Sequence, residues 1–480
     1  MATIPSVNVN KIAGTIAVAS PNAGNPLFIG PSSNGTIGTI QTFGQANQVQ
    51  TAGGYGTAVT AAMAYLATLG GTVNVIFASA SYPGTVGAVA SGSGVPALTV
   101  AGTPYDSYNA IVNVTTAGGI GTGAFQFSLD NGITPSSIRT IQGTFTIPNT
   151  GLTLTFPTAS YTVGQAWSFS AYSPSMNAVD FSSACAPLTG SQLSPNMILV
   201  CNDTQTASQG STLFTQANSI CTTLTTVNQV PSTFIVPTGG PDSNNNSTIA
   251  SQTVAAFASN AATLGNIISA VAERVVYNTP NAFEGYAFPE VPVAIPVIVA
   301  AGGVDVSTPI IWRQLGGLAG CTSATYDDRL SGNVYSPANI IAPCTAPRQA
   351  GSVYLNCESV LAAAGSPYTS LSQGRVMNLL DQVIANALFV WEGKSVTVNA
   401  NGTLTKTIAD AIDSQVNSAI NTNILQPLTS EGYNGYVSSA VFAVNRSYNV
   451  LTTSQVQGSC NNIPLAVIHQ ITVNLGFAGG

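Results

Sequence analysis

The segment Asn461–Phe477 has the sequence NNIPLAVIHQITVNLGF, and its residue types alternate. One face of the alternation holds Ile463, Leu465, Val467, His469, Ile471, Val473, Leu475 and Phe477. A period of two is typical of a half-buried β-strand, and at 3.3 Å per residue this one would extend about 50 Å. Because so apolar a ribbon cannot stay solvated, we expect it either to close a sheet in its own domain or to add to a sheet of a neighbouring molecule. The pattern alone leaves both arrangements open.

A weaker alternation lies at the other end of the chain. Val7 and Val9 alternate with polar residues within the first 20 residues. The spacing predicts a second terminal strand, which ends before the Gly/Asn/Pro cluster that begins at Pro21.

The composition is unusual in its shortage of charge. Charged residues make up 6% of the 480 residues, against about 25% in ordinary globular proteins. Few charges give little repulsion between copies, and uncharged faces avoid the desolvation cost of buried ions. We infer a chain that packs against copies of itself.

Several classes of function lack their usual signals. The net charge is −7, and the ten Lys and Arg residues form no basic run, so nucleic-acid binding is not expected. No apolar stretch of membrane-spanning length occurs, and the N-terminal residues do not resemble a secretory signal.

The order of predicted elements indicates a mixed α+β, multidomain α/β protein. The middle α/β domain is expected to be doubly wound, with parallel strands that include Thr233–Val236 and Arg274–Tyr277, a long helix over Ile249–Ile268, and an extended or loop segment over Val291–Ala301. The predicted divisions are an N-terminal arm (1–20), a first part of the core (21–80), an inserted all-β sandwich or barrel (81–175), the α/β middle domain (176–345), a second part of the core (346–460) and a C-terminal strand arm (461–480).

No catalytic constellation is found, so we expect no enzyme, no cofactor and no metal site. His469 is the only histidine, which makes a Ser-His-Asp triad or a two-histidine metal site hard to build. The glycine-rich run at Gly119–Ala124 precedes a strand instead of a helix, which predicts a loop. Asp327 and Asp328 lie in a turn-rich stretch that predicts a solvated loop. Asn202-Asp203 and Gly239 would line the strand ends if the middle domain bound a ligand, and this enzyme interpretation has no supporting acid, base or cofactor motif.

The seven cysteines form no C-x-x-C pair. One interpretation is a set of buried free thiols; the other is that some of them bridge adjacent subunits. Cys460, at the root of the ribbon, is the best candidate for such a bridge. The other candidates are Cys185, Cys321, Cys344 and Cys357.

Two regions together resemble a tail sheath protein of a contractile-tailed bacteriophage. The first is the C-terminal block: a helix over Arg375–Trp391, a second helix over Thr405–Ile424, the strand VFAVNR at Val441–Arg446, and the ribbon Ile463–Phe477. The second is the inserted β unit, which contains AGTPYDSY at Ala101–Tyr108, FSLDNG at Phe127–Gly132 and GLTLTF at Gly151–Phe156.

This resemblance implies a structural subunit of the phage virion, assembled in the host cytoplasm. Terminal arms of such proteins add strands to neighbouring subunits and join stacked hexameric rings into a helical sleeve around the tail tube. Contraction drives the tube through the host envelope for genome ejection. The implied partners are other copies of the chain, the tail tube protein, and baseplate and tail terminator proteins. The alternative is a self-assembling surface-layer or adhesin-like β-rich protein, which should carry an export signal and repeated β modules.

Overall fold

The computed structural model describes residues 10–11, 14–15, 25–191, 193, 195–203, 206–226, 230–239, 247–263, 265–277, 290–311, 318, 320–324, 326–346, 349–363, 366, 368–429, 432 and 434–465. The first elements are β1 (Asn10–Lys11), β2 (Gly14–Thr15), β3 (Leu27–Pro31), β4 (Ile40–Phe43), α1 (Ala46–Gly53), α2 (Thr57–Leu69) and β5 (Val73–Ala78). The strands β1 and β2 pair antiparallel with each other.

An all-β unit follows β5. Its strands are β6 (Thr85–Val86), β7 (Ala90–Ser91), β8 (Thr99–Gly102), β9 (Tyr108–Thr116), β10 (Ala124–Ser128), β11 (Arg139–Thr140), β12 (Thr144–Ile147), β13 (Leu152–Thr155) and β14 (Ala166–Tyr172). One sheet has the order β11-β10-β9-β14-β6, with β7 also paired to β14, and the other has the order β12-β13-β8. Both enclose an aromatic core around Trp167, Phe125 and Phe156. The sequence Asp130-Asn131-Gly132 predicts a turn, and Asn131 and Gly132 adopt the positive φ angles of 58° and 88° that such a turn requires.

The chain then returns to helices and strands. These are α3 (Ala178–Cys185), β15 (Met197–Val200), α4 (Ala207–Thr226), β16 (Thr233–Pro237), α5 (Ser247–Phe257), β17 (Ile267–Val271), β18 (Arg274–Tyr277), β19 (Glu290–Pro292), α6 (Ala294–Gly302), β20 (Cys321–Ala324), β21 (Pro343–Ala346) and β22 (Gln349–Leu355).

The central sheet has the order β17-β16-β15-β3-β5-β4. Its strands run parallel except β4, which pairs antiparallel with β5 at the edge. Neighbouring residues of β3 face opposite sides: Phe28 packs with α2 and α6, and Leu27 and Ile29 pack with α3 and α4. Burial on both faces explains why these strands are continuous apolar runs.

This sheet combines strands from two segments that the predicted divisions assign to different units, residues 21–80 and 176–345. Strands that precede and follow the inserted β unit in sequence share one sheet, so residues 21–80 and the α/β middle domain do not form separate domains. The mixed α+β class itself is confirmed.

Three local predictions in the middle of the chain are wrong. The segment Ile249–Ile268 is not one helix, because it contains most of α5 and the start of β17. The parallel strand that pairs with β16 is β17 and not β18. Instead, β18 pairs antiparallel with β19 and β20. The segment predicted to be extended contains the buried helix α6.

The C-terminal unit contains α7 (Leu371–Phe389), α8 (Lys406–Ile420), β23 (Val437–Val444), α9 (Val450–Thr453) and β24 (Gly458–Pro464). The sequence offers Ser370 and Ser372 as possible caps of α7, and the Ser370 side chain is the one that accepts a hydrogen bond from the Gln373 backbone N–H, at 3.3 Å. The sequence pattern over Ser395–Asn399 predicts a strand, but these described residues form none, and Val398 makes only an isolated bridge to Leu404. The two long helices and β23 share one apolar core.

Candidate functional site

The end of the described chain forms a hairpin with the strand before it. The strand β24 pairs antiparallel with β23, with Phe442 opposite Cys460 and Ser439 opposite Ile463. Because residues 461–464 lie in the sheet of their own protomer, the predicted arm boundary at residue 461 is corrected.

The residue pairing between β23 and β24 determines which side of the hairpin each described residue of β24 faces. Phe442 and Ala440 are buried against the helices, and their cross-strand partners face the same way. Ile463 and Val441 lie on the opposite face and are 61% and 59% exposed. Ile463, the first residue of the predicted alternation, is therefore on the outer face of the protomer's own hairpin.

A groove of about 330 Å³ separates α7 from the hairpin. Its α7 wall includes Val376, Leu380 and Ile384, and its hairpin wall includes Phe442 and Cys460. Polar groups line the rest, among them Ser307, Gln373 and Asp381. The Ser307 side chain is 7% exposed, and its Oγ has no hydrogen-bond partner among the described residues. Pro464 and Leu465 also line this groove, so the described chain ends at its edge.

Most of the predicted arm residues lie outside the described residues. These are Val7, Val9, Val467, His469, Ile471, Val473, Leu475 and Phe477. Only Ile463 and Leu465 of the predicted set can be placed, and both lie at the hairpin just described.

All seven cysteines are free in this structure. Cys185 and Cys344 are 3% and 4% exposed, which weighs against bridges from these two to another subunit. Cys321, Cys357 and Cys460 are partly exposed. Burial raises the pKa of the Cys460 thiol to about 11, so this thiol is a weak nucleophile at neutral pH.

Doubly wound sheets usually bind ligands in a crevice at the carboxyl ends of their parallel strands. In this protein the inserted β unit occupies that crevice. Asp203, which follows β15, accepts hydrogen bonds from the Arg274 guanidinium (2.5 Å) and from the Ser107 hydroxyl of the inserted unit. The neighbouring Asp106 carboxylate accepts from the Thr60 hydroxyl at 2.8 Å, and burial raises its pKa to about 6. Asn202 is fully buried and accepts from the backbone. These polar groups bind one another across the domain junction.

The prediction of a solvated loop at Asp327-Asp328 is wrong for Asp328, which is fully buried. Its carboxylate accepts from the backbone N–H groups of Val334 (2.8 Å) and Tyr335 (2.9 Å) and from the Asn356 amide (2.8 Å). Asp328 therefore organises the surrounding loop, and sequence composition gave no sign of this burial.

Two further properties concern only the described part of the chain. It contains no group of three or more His, Cys, Asp or Glu side chains placed to hold a metal ion. None of its helices is long and apolar enough to span a bilayer.

Solved structures of low sequence identity share this fold over nearly the whole chain. The helical sheath of the anti-feeding prophage in its contracted state is 8% identical, with 99% of each chain covered and a TM-score of 0.50. The contracted sheath complex of PVC, an extracellular contractile injection system, is 8% identical over 99% of this chain and 98% of that chain, with a TM-score of 0.51. A chain of the anti-feeding prophage baseplate in its contracted state is 11% identical over 99% of both, with a TM-score of 0.52.

No curated protein matches the sequence. A family model described as DUF2586, N-terminal domain, matches residues 4–285, more than half of the 480 residues. The chain has the fold of contractile sheath proteins, and it belongs to the DUF2586 family.

Proposed function

We propose that this protein is the sheath subunit of a contractile bacteriophage tail, in which terminal arms exchanged between subunits join stacked hexameric rings into a helical sleeve. The sleeve surrounds a tail tube, and its contraction drives the tube through the host envelope. The observation that supports strand exchange most directly is the exposed, outward-facing Ile463 in the hairpin of β23 and β24.

A continuous strand beyond Pro464 would keep the orientation that Ile463 has in the hairpin. The alternating apolar residues after Leu465 would then point away from the protomer's own core, as the 61% exposed Ile463 does, whereas Leu465 itself borders the groove. Such a face needs a cover, and a sheet edge or groove of another subunit supplies one by strand addition. The hairpin offers this acceptor, because β24 is paired on one side only among the described residues and lies beside the apolar groove.

The arm has enough length and apolar surface for a stable link. Residues 466–480 can reach roughly 50 Å when extended. Burying its five alternating apolar side chains contributes roughly 8–15 kcal/mol before association costs. These five are Val467, Ile471, Val473, Leu475 and Phe477. A link of this size can persist while weaker polar contacts between rigid domains rearrange during contraction.

The composition and the domain junction fit a structural role. A chain with 6% charged residues has large neutral faces that can pack in a lattice with little desolvation cost. The crevice at the sheet's carboxyl end is occupied by the inserted unit, whose Ser107 hydroxyl donates a hydrogen bond to Asp203, and this supports a non-enzymatic subunit. The proposed partners are copies of itself, a tail tube protein, and baseplate and tail terminator proteins, within a virion assembled in the host cytoplasm.

The test is electron microscopy of the purified protein and of two matched variants. The wild type is expected to form striated sleeves or tubes. The variant I471N/V473N, altered on the apolar face, should remain a folded protomer, whereas Q470N/T472N, altered on the opposite face, should assemble normally. Equal tube formation by both variants would refute exchange through the apolar face, and a persistent wild-type monomer would oppose the sheath function itself.

A further inference from the structure

We propose that Asn417 and Asp413 of α8 close the β23 edge of the C-terminal hairpin, so that an exchanged segment of a second copy adds only at the β24 edge. The inference rests on the proposed strand exchange. It adds to that function the side of the hairpin that accepts the segment and the two side chains that select this side.

The edge of β23 that faces away from β24 is already hydrogen-bonded. The Asn417 side chain accepts from the Phe442 backbone N–H at 2.9 Å and donates to the Phe442 backbone carbonyl at 2.8 Å. Two residues further along, the Asp413 carboxylate accepts from the Val444 backbone N–H at 2.7 Å. An added strand would need these same backbone groups, so α8 takes the place of a neighbouring strand.

Other contacts hold the two α8 side chains in position. The Asn417 amide nitrogen also donates to the Asp413 backbone carbonyl at 2.8 Å. The second carboxylate oxygen of Asp413 binds the Arg446 guanidinium at 2.7 Å, and Arg446 also pairs with Asp410. A strand that added to β23 would have to break the hydrogen bonds from α8 and leave their side-chain partners unpaired, which is unfavourable.

The opposite edge of the hairpin is open. Because both backbone groups of Phe442 point towards α8, its cross-strand partner Cys460 directs its own N–H and C=O away from β23. Asn462, which lies opposite Ala440, has the same orientation. Within the described chain, no backbone group outside the hairpin bonds to Cys460 or Asn462. An added strand can therefore bond to this edge without displacing a side chain.

The groove runs along this open edge. Five consecutive residues of β24, at positions 458–462, line it, although successive side chains of a strand point to opposite faces. The groove therefore meets the edge of the strand and not one of its faces, and α7 forms the other wall. A space of this shape fits an extended backbone that pairs with β24 and packs side chains against α7.

The occupant is a segment of a second copy and not the protomer's own chain. The described chain leaves β24 at Leu465, and it would have to reverse within a few residues to pair with the open edge. Residues 465–473 have the sequence LAVIHQITV, which contains no Gly, Pro, Asn, Asp or Ser. Such a sequence disfavours a tight turn, so another molecule supplies the added strand.

The experiment measures hydrogen exchange of single backbone amides in free protomers and in assembled tubes, by mass spectrometry with electron-transfer fragmentation. In the free protomer, the amides of Phe442 and Val444 should be protected. Those of Cys460 and Asn462 should exchange at least about tenfold faster. Assembly should slow the exchange of the Cys460 and Asn462 amides at least about a hundredfold and leave the two β23 amides unchanged.

Two variants separate closure of the edge from general stability. N417A frees the backbone groups of Phe442, so its protomer should exchange this amide faster and should form irregular aggregates beside the tubes. N423A is the matched control. The Asn423 amide likewise donates to a carbonyl four residues earlier, at 2.9 Å, and has no hydrogen bond to β23 within the described chain. If N417A does not fold, the wild-type amide measurement still decides which edge is used.

The outcomes separate the choice of edge from strand exchange in general. If assembly leaves the exchange of the Cys460 and Asn462 amides unchanged while I471N/V473N fails to form tubes, the assignment of β24 is refuted and strand exchange stands. Protection of the same two amides in the dilute protomer would show self-docking and also overturn the inference. Regular tubes and an unchanged Phe442 amide in N417A would show that Asn417 does not close the edge. If I471N/V473N forms normal tubes, the proposed function fails and this inference fails with it.

Discussion

Asp203 and Arg274 form a buried ion pair, with 2.5 Å between the carboxylate Oδ2 and the guanidinium Nη1. The same carboxylate oxygen accepts from the Ser107 hydroxyl, whose own oxygen accepts from the Ser173 backbone N–H at 2.9 Å. One carboxylate thus connects the end of β15, the start of β18 and the inserted β unit. The inserted unit is fixed to the sheet by this buried polar network, at the place where other doubly wound proteins bind ligands.

Replacing this carboxylate should weaken the domain junction. The variant D203N removes the carboxylate charge that faces the buried Arg274 guanidinium, which costs about 3–5 kcal/mol. We expect a lower apparent free energy of unfolding in urea and faster limited proteolysis between the inserted unit and the core. The matched control is D410N, because Asp410 pairs with Lys406 at the surface and such pairs contribute little. Equal stability losses in the two variants would contradict the assigned role of Asp203.

The pH dependence of stability should include a contribution from Asp106. Burial, only partly offset by hydrogen bonds from Thr60 and Ser107, raises its pKa from 3.8 to about 6. Because the folded-state pKa lies above the unfolded value, the folded state binds the proton more tightly. Stability from this group is greatest below pH 4, falls as the pH rises to about 6, and then stays level.

The expected loss from Asp106 across this range is roughly 3 kcal/mol. The variant D106N should therefore gain stability relative to the wild type by up to that amount between about pH 4 and pH 7.5, as measured by urea denaturation at both values. A wild-type-minus-variant difference that is constant with pH would show that Asp106 titrates normally.

Gly210 should tolerate no side chain. A Cβ atom at this position of α4 would lie 1.6 Å from the Thr238 carbonyl oxygen, so the helix and the segment after β16 would have to separate. We expect G210A to destabilise the protein by about 3 kcal/mol through overpacking, despite the better helix propensity of alanine. T215A, at an exposed position of the same helix, is the control and should change the melting temperature little. An unchanged melting temperature for G210A would contradict this close contact.

Cys460 should report on occupation of the groove. It is the only cysteine that lines the groove, and it is partly exposed in the protomer. We expect alkylation at Cys460 to be slow in the free protomer, because its pKa is about 11, and slower still in assembled tubes. Mass spectrometry of alkylated peptides measures both rates, with buried Cys201 as an internal control. The same rate in protomer and tube would argue against strand docking beside β24.

Sequence patterns predicted the helices and strands whose formation depends mainly on residues close together in the chain. The apolar run at Val73–Ala78 predicts a buried strand, because its continuous apolar character requires cover on both faces, and β5 has these bounds. The strands of the inserted unit and the cap at Ser370 also follow from short-range patterns. The helix α6 was missed because it is buried on all sides and so has no amphipathic period. Its Pro296 lies in the first turn, where proline is tolerated.

The candidate site depends on contacts that no local pattern contains. The alternation from Ile463 onward predicted a strand, but only the pairing with β23 shows that Ile463 faces outward. The groove exists because α7 and the hairpin stand apart, which is set by packing around α8. Likewise, Asp328 is surrounded by backbone donors more than five residues away in sequence.

Hydrogen exchange of the 458–480 region, compared between free protomers and assembled tubes, tests strand exchange most directly. Strand exchange predicts that peptides beyond Leu465 exchange rapidly in the protomer and become strongly protected in the tube, together with peptides of β24. Protection of the same peptides in the isolated protomer, or rapid exchange of these peptides in the tube, would contradict it.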